Sequence, residues 1–452
     1  MNDAPNRSIY GAYGIRGIWG TDIDGILAVK LAKAYVTMKK PGRVGVGRDG
    51  RVSSNDFAEA IIVGMRDAGV DVVDFGMIPV DAFYFAVDRY KCDGGAMVTA
   101  SHNPSEWNGV KFVDDHAQLL VGEQNRALGR IAERGEFEVA SGHQGFYEEI
   151  DVVPDFVTFI RAVVDFTGTR RLKVVIDPGN GVAARTAVAL MHTLPFEWSG
   201  INMEVHGLFP GRGPDPKEKG ALEVLGRAVR ERGADVGIAF DADGDRMFLV
   251  DERGSELIGE ETGIILARTF LAHNPGVHIV YNVVCSHIVP EMITAAGGIP
   301  VRAGVGSVNM VPAIVRSRAI MGIETSGHYI LREYNYVDSG LLPAAFALRA
   351  LSSDGRPLSK IREGLDPYAH DRVELRIDDS SRALETIRRR FSDGICDELD
   401  GVTVEYPDWW FNVRPSRSEP YLRLTIESKR RDDMERRRDG LVRIIHGEST
   451  TT

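Results

Sequence analysis

Short apolar runs recur along this chain, each closed by a polar or glycine-rich loop, with helical stretches between them. Residues 173–176 (KVVI) end in the turn DPGNG at 177–181, and residues 182–194 follow with helical composition. Residues 234–240 (ADVGIAF) and 247–250 (MFLV) bracket a polar loop, and residues 278–284 (HIVYNVV) and 299–302 (IPVR) read as strands around a helical stretch near 288–296. This alternation predicts an α/β architecture, with ligand sites in loops beyond the strand ends. From about residue 371 the rhythm changes: VELRI, a charged helix, VTVEY and LRLTI predict a small α+β domain. A polar stretch at 140–154 reads as a separator after the first unit.

A length of 452 residues sets a prior of about three domains. The 54 basic and 65 acidic side chains give a net charge of −11, which excludes a protein-wide positive field for nucleic acid or membrane. The basic clusters at 388–390 and 429–438 carry interleaved or nearby acids and read as solvated helix faces. Cys92, Cys285 and Cys396 are odd in number and far apart, so neither a disulfide framework nor a zinc cage follows. The opening MNDAPNRSIY has no apolar core and no run of 18 apolar residues occurs, so the expectation is a cytoplasmic protein without membrane or nucleic-acid partners.

Four loops carry chemistry. DADGDR at 241–246 puts Asp241, Asp243 and Asp245 at alternate positions of a tight turn, hard oxygen ligands suited to Mg²⁺ or Ca²⁺. An EF-hand is excluded because Arg246 stands where that loop needs glycine and the flanks read as strands. A plain acidic hairpin turn is the alternative. TASHNP at 99–104 sets Ser101 beside His102, with Lys111 ten residues on; a serine that carries a phosphoryl group needs a cation and a proton acceptor nearby. GIETSGH at 322–328 offers Glu324, Ser326 and His328, a set that hydrogen-bonds sugar hydroxyls. RPSRSEP at 414–420, with Arg423 beyond it, combines arginines, hydroxyls and loop amides into a phosphate cradle. Each of the last three also reads as an ordinary surface loop when taken alone.

GVGRDG at 45–50 matches the dinucleotide pattern GxGxxG, and Asp71 and Asp74 lie where a ribose-binding acid would stand. Against it, the strand before Gly45 would be very short, and Arg48 and Asp49 occupy positions where a phosphate must approach closely.

Together and in this order, the loops resemble the α-D-phosphohexomutase family, in its phosphomannomutase/phosphoglucomutase branch. The resemblance begins at YGAYGIRG (10–17), takes in VGRDGRVSS (46–54), and continues through TASHNP, DADGDR and GIETSGH to WFNVRPSRSEP (410–420). TASHNP with DGDR is a highly specific pair.

The resemblance implies four domains around a central cleft, three related mixed α/β domains and a smaller α+β C-terminal domain, which revises the count from length. They are placed at residues 1–150 with the phosphoserine loop, 151–254 with the metal loop, 255–366 with the sugar-binding loop and 367–452 with the phosphate-binding loop. It implies that Ser101 is the phosphoserine and that Asp241, Asp243 and Asp245, with an oxygen on Ser101, hold Mg²⁺. Arg246 would sit beside the phosphoryl group, and Arg16, His102 and Lys111 would be polar and proton-transfer groups at the serine. Glu324, Ser326 and His328 would hold sugar hydroxyls; Arg414, Ser416, Arg417, Ser418 and Arg423 would hold the phosphate that is not reacting. The implied reaction interconverts hexose 1- and 6-phosphates of mannose or glucose through a hexose 1,6-bisphosphate, which is both intermediate and activator. The implied partner is a phosphosugar, and the chain is expected to be a monomer or dimer. Phosphoglucosamine mutase is the alternative within the class, and a catalytically silent sugar-phosphate-binding relative is the alternative outside it. Three positions depart from the family pattern: Ile323 replaces a glycine, Arg417 replaces a small or amide residue, and no lysine occurs between Lys219 and Lys360.

Overall fold

In a computed structural model the described residues are 9–138, 143–365, 368–377, 379–416 and 421–447. The boundary expected between 366 and 367, and the residues Arg417 and Ser418, lie outside them. The chain divides into two units. One comprises the described residues up to Ile258 together with Ser326–Ile361; the other comprises Gly259–Thr325 together with the described residues from Arg362 onward.

The first unit holds two sheets. The larger runs in the order Ile15–Ile18, Trp107–Val113, Gly95–Val98, Arg43–Arg48, Asp71–Met77, Tyr147–Glu149. Its first two pairings are antiparallel and the rest parallel. Gly95–Val98 (GAMV) is buried at every position, as a strand covered on both faces must be. The smaller sheet runs Met247–Asp251, Val236–Phe240, Lys173–Asp177, Glu197–Gly200, with only its first pairing antiparallel. A two-stranded pair, Tyr329–Leu331 with Asp338–Ser339, completes this unit's β-structure among the described residues. Helix Gly25–Lys39 starts where Asp24 accepts a hydrogen bond from the Leu27 amide and ends at Lys40, which turns into the left-handed region. It packs on helix Ser54–Asp67 at Gly64, where a Cβ would come within 2.7 Å of Ala32 Cβ and 2.8 Å of the Val29 carbonyl oxygen.

The second unit has three parallel strands, with His278–Asn282 between Ile299–Ala303 and Met321–Ile323. Its C-terminal part is an antiparallel sheet in the order Ala369–Arg376, Tyr421–Ser428, Trp409–Pro415, Val402–Glu405, Ile395–Asp397. Helices Ser380–Arg390 and Arg431–Ile445 lie against it over a core that includes Phe411, Leu424, Ile387 and Leu441. The α/β alternation and the change to an α+β C-terminal part are both present. No helix among the described residues is long and apolar enough to cross a membrane.

Two local readings change. The stretch 140–154 contains the strand Tyr147–Glu149, which extends the first sheet as an edge strand; all three residues are exposed, so no apolar alternation marks it. WFNVRP, read only as a motif, is the middle strand of the C-terminal sheet, and Arg414 and Pro415 are its last residues rather than part of a loop. The GxGxxG match is disposed of directly: Gly45 and Gly47 lie inside strand Arg43–Arg48, and a Cβ on Gly45 would meet Phe75 at 2.4 Å.

Gly64→Ala is expected to push the two helices of the first unit apart. The cost of such overpacking is about 1–3 kcal/mol, read as a lower urea midpoint with faster amide exchange in the 54–67 helix.

Candidate active site

The described chemistry of the first unit gathers at two hairpin turns and the strand Ile15–Ile18. Strands Gly95–Val98 and Trp107–Val113 pair antiparallel, Val98 opposite Val110, so the turn between them carries TASHNP, and Lys111 stands on the returning strand opposite Met97. Ile15–Ile18 pairs with the same strand, which sets Arg16 opposite Gly109. Ser101 has φ +53°, a left-handed conformation that a β-carbon disfavours. Its amide donates to Thr99 Oγ1 at 2.8 Å, and its Oγ lies 3.1 Å from His102 Nδ1. Arg16 Nη1 donates to Asn103 Oδ1 at 3.0 Å.

Strands Val236–Phe240 and Met247–Asp251 pair with Phe240 opposite Met247, so DADGDR is the turn of a hairpin flanked by strands, as expected. Gly244 takes φ +80°, and the amides of Gly244 and Arg246 both donate to Asp241 Oδ1, at 3.2 and 3.1 Å. The turn is seated on its neighbours: the Val80 amide donates to the Asp243 carbonyl at 2.8 Å, and the Val182 amide to the Ala242 carbonyl at 3.0 Å. Asp241, Asp243 and Asp245 are all buried, each offering an oxygen within 4.8 Å of the others.

Buried carboxylates need positive charge. Lys111 Nζ lies 2.9 Å from Asp243 Oδ2 and 2.7 Å from Asp245 Oδ2. Arg246 Nε donates to Asp241 Oδ2 at 2.9 Å, and its Nη1 lies 3.4 Å from Asp215. Burial disfavours a charge on Lys111, but Asp243 and Asp245 outweigh it and hold the ammonium protonated far above the usual lysine range. Burial likewise opposes ionisation of Asp245, and Lys111 and His328 overcome it, so its pKa lies well below the usual range. Asp241 is pushed the other way, by burial first and Asp245 next, with Arg246 opposing. A divalent cation would draw all three into the charged form. Asp243 Oδ1 is buried and accepts no hydrogen bond, so a hard donor is free for such an ion. The donor set therefore fits Mg²⁺.

His102 is held far below its ordinary pKa, by burial first and then by Arg246 and Arg16, and its ring is neutral. Burial also lowers Arg16, with Asp243 and Asp245 opposing, but a guanidinium stays charged at physiological pH. Arg246 Nη2 is buried and donates no hydrogen bond.

Of the third loop, Ser326 and His328 belong to the first unit. Ser326 Oγ lies 2.8 Å from His328 Nδ1, and His328 Nε2 lies 3.4 Å from Asp245 Oδ1. Burial works against a charge on His328, yet Asp338 and Asp245 outweigh it and raise the imidazole to about 9. Glu324 belongs to the second unit, buried, its Oε2 taking the Gly306 amide at 3.2 Å and Asn282 Nδ2 at 3.4 Å. Ile323 turns inward there: a Cβ on Gly263 would meet its Cγ2 at 2.4 Å, so the branched side chain fills a helix–strand contact. Of the fourth motif, Arg414 and Arg423 lie on paired strands, are cross-strand partners and so share one face of the sheet. Arg423 Nε also donates to Glu374 at 2.9 Å. Ser416 Oγ is buried with no hydrogen-bond partner among the described residues. Arg302 is engaged by Glu405 at 2.7 Å and Asp397 at 3.4 Å.

Some supporting residues had no signal of their own in the sequence. Asp81, at the start of helix Val80–Arg89, accepts from Ser339 Oγ at 2.9 Å and the Leu341 amide at 3.0 Å, and its carbonyl takes the Tyr334 hydroxyl. It thereby anchors the segment that follows His328.

The sequence matches three profiles of one family: phosphoglucomutase/phosphomannomutase alpha/beta/alpha domain I over residues 7–139, domain II over 154–254 and domain III over 258–368. It is 33% identical over 435 residues to a phosphomannomutase of Salmonella montevideo, covering 94% of this chain and 95% of that protein. It is 32% identical over 443 residues to a "Probable phosphoglucosamine mutase" of Methanopyrus kandleri, covering 96% and 97%. A crystal structure of a phosphoglucomutase/phosphomannomutase family protein from Burkholderia thailandensis superimposes with a TM-score of 0.90 at 30% identity, covering 98% of both chains.

Burial raises the Asp81 carboxyl to about 6, against the hydrogen bonds it accepts. The native state therefore holds a proton that the unfolded chain, at about pH 4, has already released. This contribution to stability is complete below about pH 4 and is lost as pH rises through about 6. Thermal melts across that window should show a decline of about 1–3 kcal/mol in the parent protein that Asp81→Asn lacks.

Proposed function

As a member of the phosphoglucomutase/phosphomannomutase family of α-D-phosphohexomutases, the chain is a phosphosugar mutase, and we propose that it interconverts hexose 1-phosphate and hexose 6-phosphate through phospho-Ser101 and a hexose 1,6-bisphosphate. Mannose or glucose is the sugar in this reading, in keeping with the phosphomannomutase relatives. The observation that carries it is the arrangement within one unit: Ser101 in a left-handed turn, Lys111 on the same hairpin bonded to Asp243 and Asp245, and Thr99 Oγ1 3.2 Å from Asp243 Oδ2. A serine turn and a metal turn far apart in sequence share those contacts.

Asp241, Asp243 and Asp245, with an oxygen of phospho-Ser101, would hold Mg²⁺, which when bound supplies neutralisation of the transferring phosphoryl group. The chain's own groups do the positioning. Arg16 and Lys111 keep permanent positive charge beside the serine turn, and Arg246 keeps a buried N–H for a phosphoryl oxygen. The free hydroxyl of the hexose phosphate attacks phosphorus, the bond from phosphorus to Ser101 Oγ breaks, and the hydroxyl proton ends on Ser101 Oγ. The neutral His102 ring, 3.1 Å from that oxygen, can hydrogen-bond it and orient it. The bisphosphate then turns over and returns its other phosphate to Ser101. Glu324, Ser326 and His328 are read as the hydroxyl-binding set. Arg414, Ser416, Arg417, Ser418 and Arg423 are read as the cradle for the phosphate at rest. A glucosamine phosphate as substrate is the second reading, favoured by the similarity to the Methanopyrus protein.

Phosphorus NMR on a panel of mannose, glucose and glucosamine 1-phosphates, with Mg²⁺ and a trace of hexose 1,6-bisphosphate, should show one sugar converted fastest to its 6-phosphate. Ser101→Ala should abolish conversion, and so should chelation of the metal. Undiminished turnover by Ser101→Ala would rule the phosphoserine mechanism out.

A further inference from the structure

The left-handed backbone at Ser101 persists only where its surroundings over-determine it. One side chain does most of this. Arg51 Nη2 donates to the carbonyl oxygens of Ser101 at 2.6 Å and Asn103 at 2.7 Å. Its Nη1 donates to the carbonyl oxygens of Pro104 at 2.6 Å and Trp107 at 3.0 Å. The remaining donor, Nε, bonds Asp49 Oδ2 at 3.1 Å. All five N–H groups of the guanidinium are thus used, three of them on carbonyls of the turn that bears Ser101 and a fourth on Trp107, where the returning strand begins.

The arginine is itself fixed. Its side chain is fully buried, and the ring of Phe209 lies 5.2 Å from the guanidinium carbon. Asp49 also accepts from the Arg51 amide, from Ser54 Oγ and, at 2.7 Å, from Thr99 Oγ1. Thr99 Oγ1 in turn accepts the Ser101 amide and lies 3.2 Å from Asp243 Oδ2. A continuous set of buried contacts therefore runs from the aspartate turn through Thr99 and Asp49 to Arg51, and from Arg51 to the backbone on both sides of His102. Lysine cannot replace this arginine, because a single ammonium has three donors and no planar fork.

We infer that Arg51 is a positioning residue for phosphoryl transfer: its guanidinium clamps the serine turn so that the Ser101 hydroxyl is held in register with the aspartate turn. The inference rests on the reading of Ser101 as the phosphoryl carrier. Among the described residues Arg51 hydrogen-bonds only Asp49 and backbone carbonyls, so its loss is expected to misplace the serine without weakening ground-state binding of the sugar phosphate. Small displacements of a reacting group cost about 10²-fold in rate.

The test compares Arg51→Ala, Arg51→Lys and Phe209→Leu with the parent enzyme, using the hexose 1-phosphate converted fastest, Mg²⁺ and hexose 1,6-bisphosphate. Arg51→Ala should lower kcat about 10²-fold with KM within about twofold of the parent. Guanidinium chloride below its denaturing range should restore part of that kcat, and equal concentrations of sodium chloride or urea should not. Arg51→Lys should be as slow as Arg51→Ala and show no rescue. A folded Arg51→Ala enzyme with unchanged kcat, or with a loss confined to KM, would overturn the inference. Should Arg51→Ala fail to fold, Phe209→Leu decides: lowered kcat at unchanged KM supports it, and unchanged kcat overturns it. Ser101→Ala run in parallel separates the two claims. Turnover by Ser101→Ala removes the parent reading and this one with it, whereas an inactive Ser101→Ala beside a fully active Arg51→Ala removes only the role of Arg51.

Discussion

Three carboxylates buried in one hairpin turn repel one another and have lost most of their hydration, so everything around them must supply positive charge or hydrogen-bond donors. Lys111 answers Asp243 and Asp245, Arg246 answers Asp241, and the backbone amides of Gly244 and Arg246 add two further donors. That requirement ties the two hairpins of the first unit together, because Lys111 stands on the hairpin that bears Ser101 and the carboxylates stand on the other. The ion pairs are short and dry, so removal of either partner would leave an uncompensated charge in the interior. The same balance explains why the aspartate turn suits a divalent cation.

Polar contacts to backbone carbonyls hold the turns that carry the site. The apolar cores of the first unit set the sheets and helices in place, and the turns are then held by Arg51 on the serine side and by Arg212 behind the aspartate side. Arg212 Nε bonds Asp177 at 2.9 Å, and its Nη2 reaches the carbonyl of Phe240, the residue before the turn. Both guanidinium side chains are buried and both bond backbone carbonyls, which lets one side chain hold several positions of irregular chain at once. Pre-organisation of this kind suits phosphoryl transfer, where placement and neutralisation of charge do most of the work.

Much of this was legible in the residues. TASHNP and DADGDR are short, contiguous and chemically dense, and each is a single turn, so the local pattern and the local structure coincide. The strands were readable for the same reason: KVVI and ADVGIAF contain short apolar runs of the length that a strand buried on both faces carries. The edge strand Tyr147–Glu149 was not, because an exposed strand paired on one side has no apolar face to advertise it. The GxGxxG match, set aside from the residues alone, has a packing reason instead: its glycines answer to Phe75 and to strand packing, not to a phosphate. Asp81 stayed silent in the sequence because Ser339 and Leu341 lie about 260 positions away, and the clamp that Arg51 places on carbonyls 50 to 56 positions on could not be read from VGRDGRVSS.

The amino-acid sequence on its own determined the class of fold, the change of architecture near residue 371, and the identity of the serine and aspartate turns, since each depends on neighbours within a few positions. The tertiary structure decided which charges meet: that Lys111 pairs with Asp243 and Asp245, that His102 is neutral while His328 is raised, that Ile323 fills a packing contact and that Arg302 is taken up by acids. The reason is physical. Backbone pattern is a property of adjacent residues, whereas desolvation and Coulomb interaction depend on distance through space, and folding alone sets those distances.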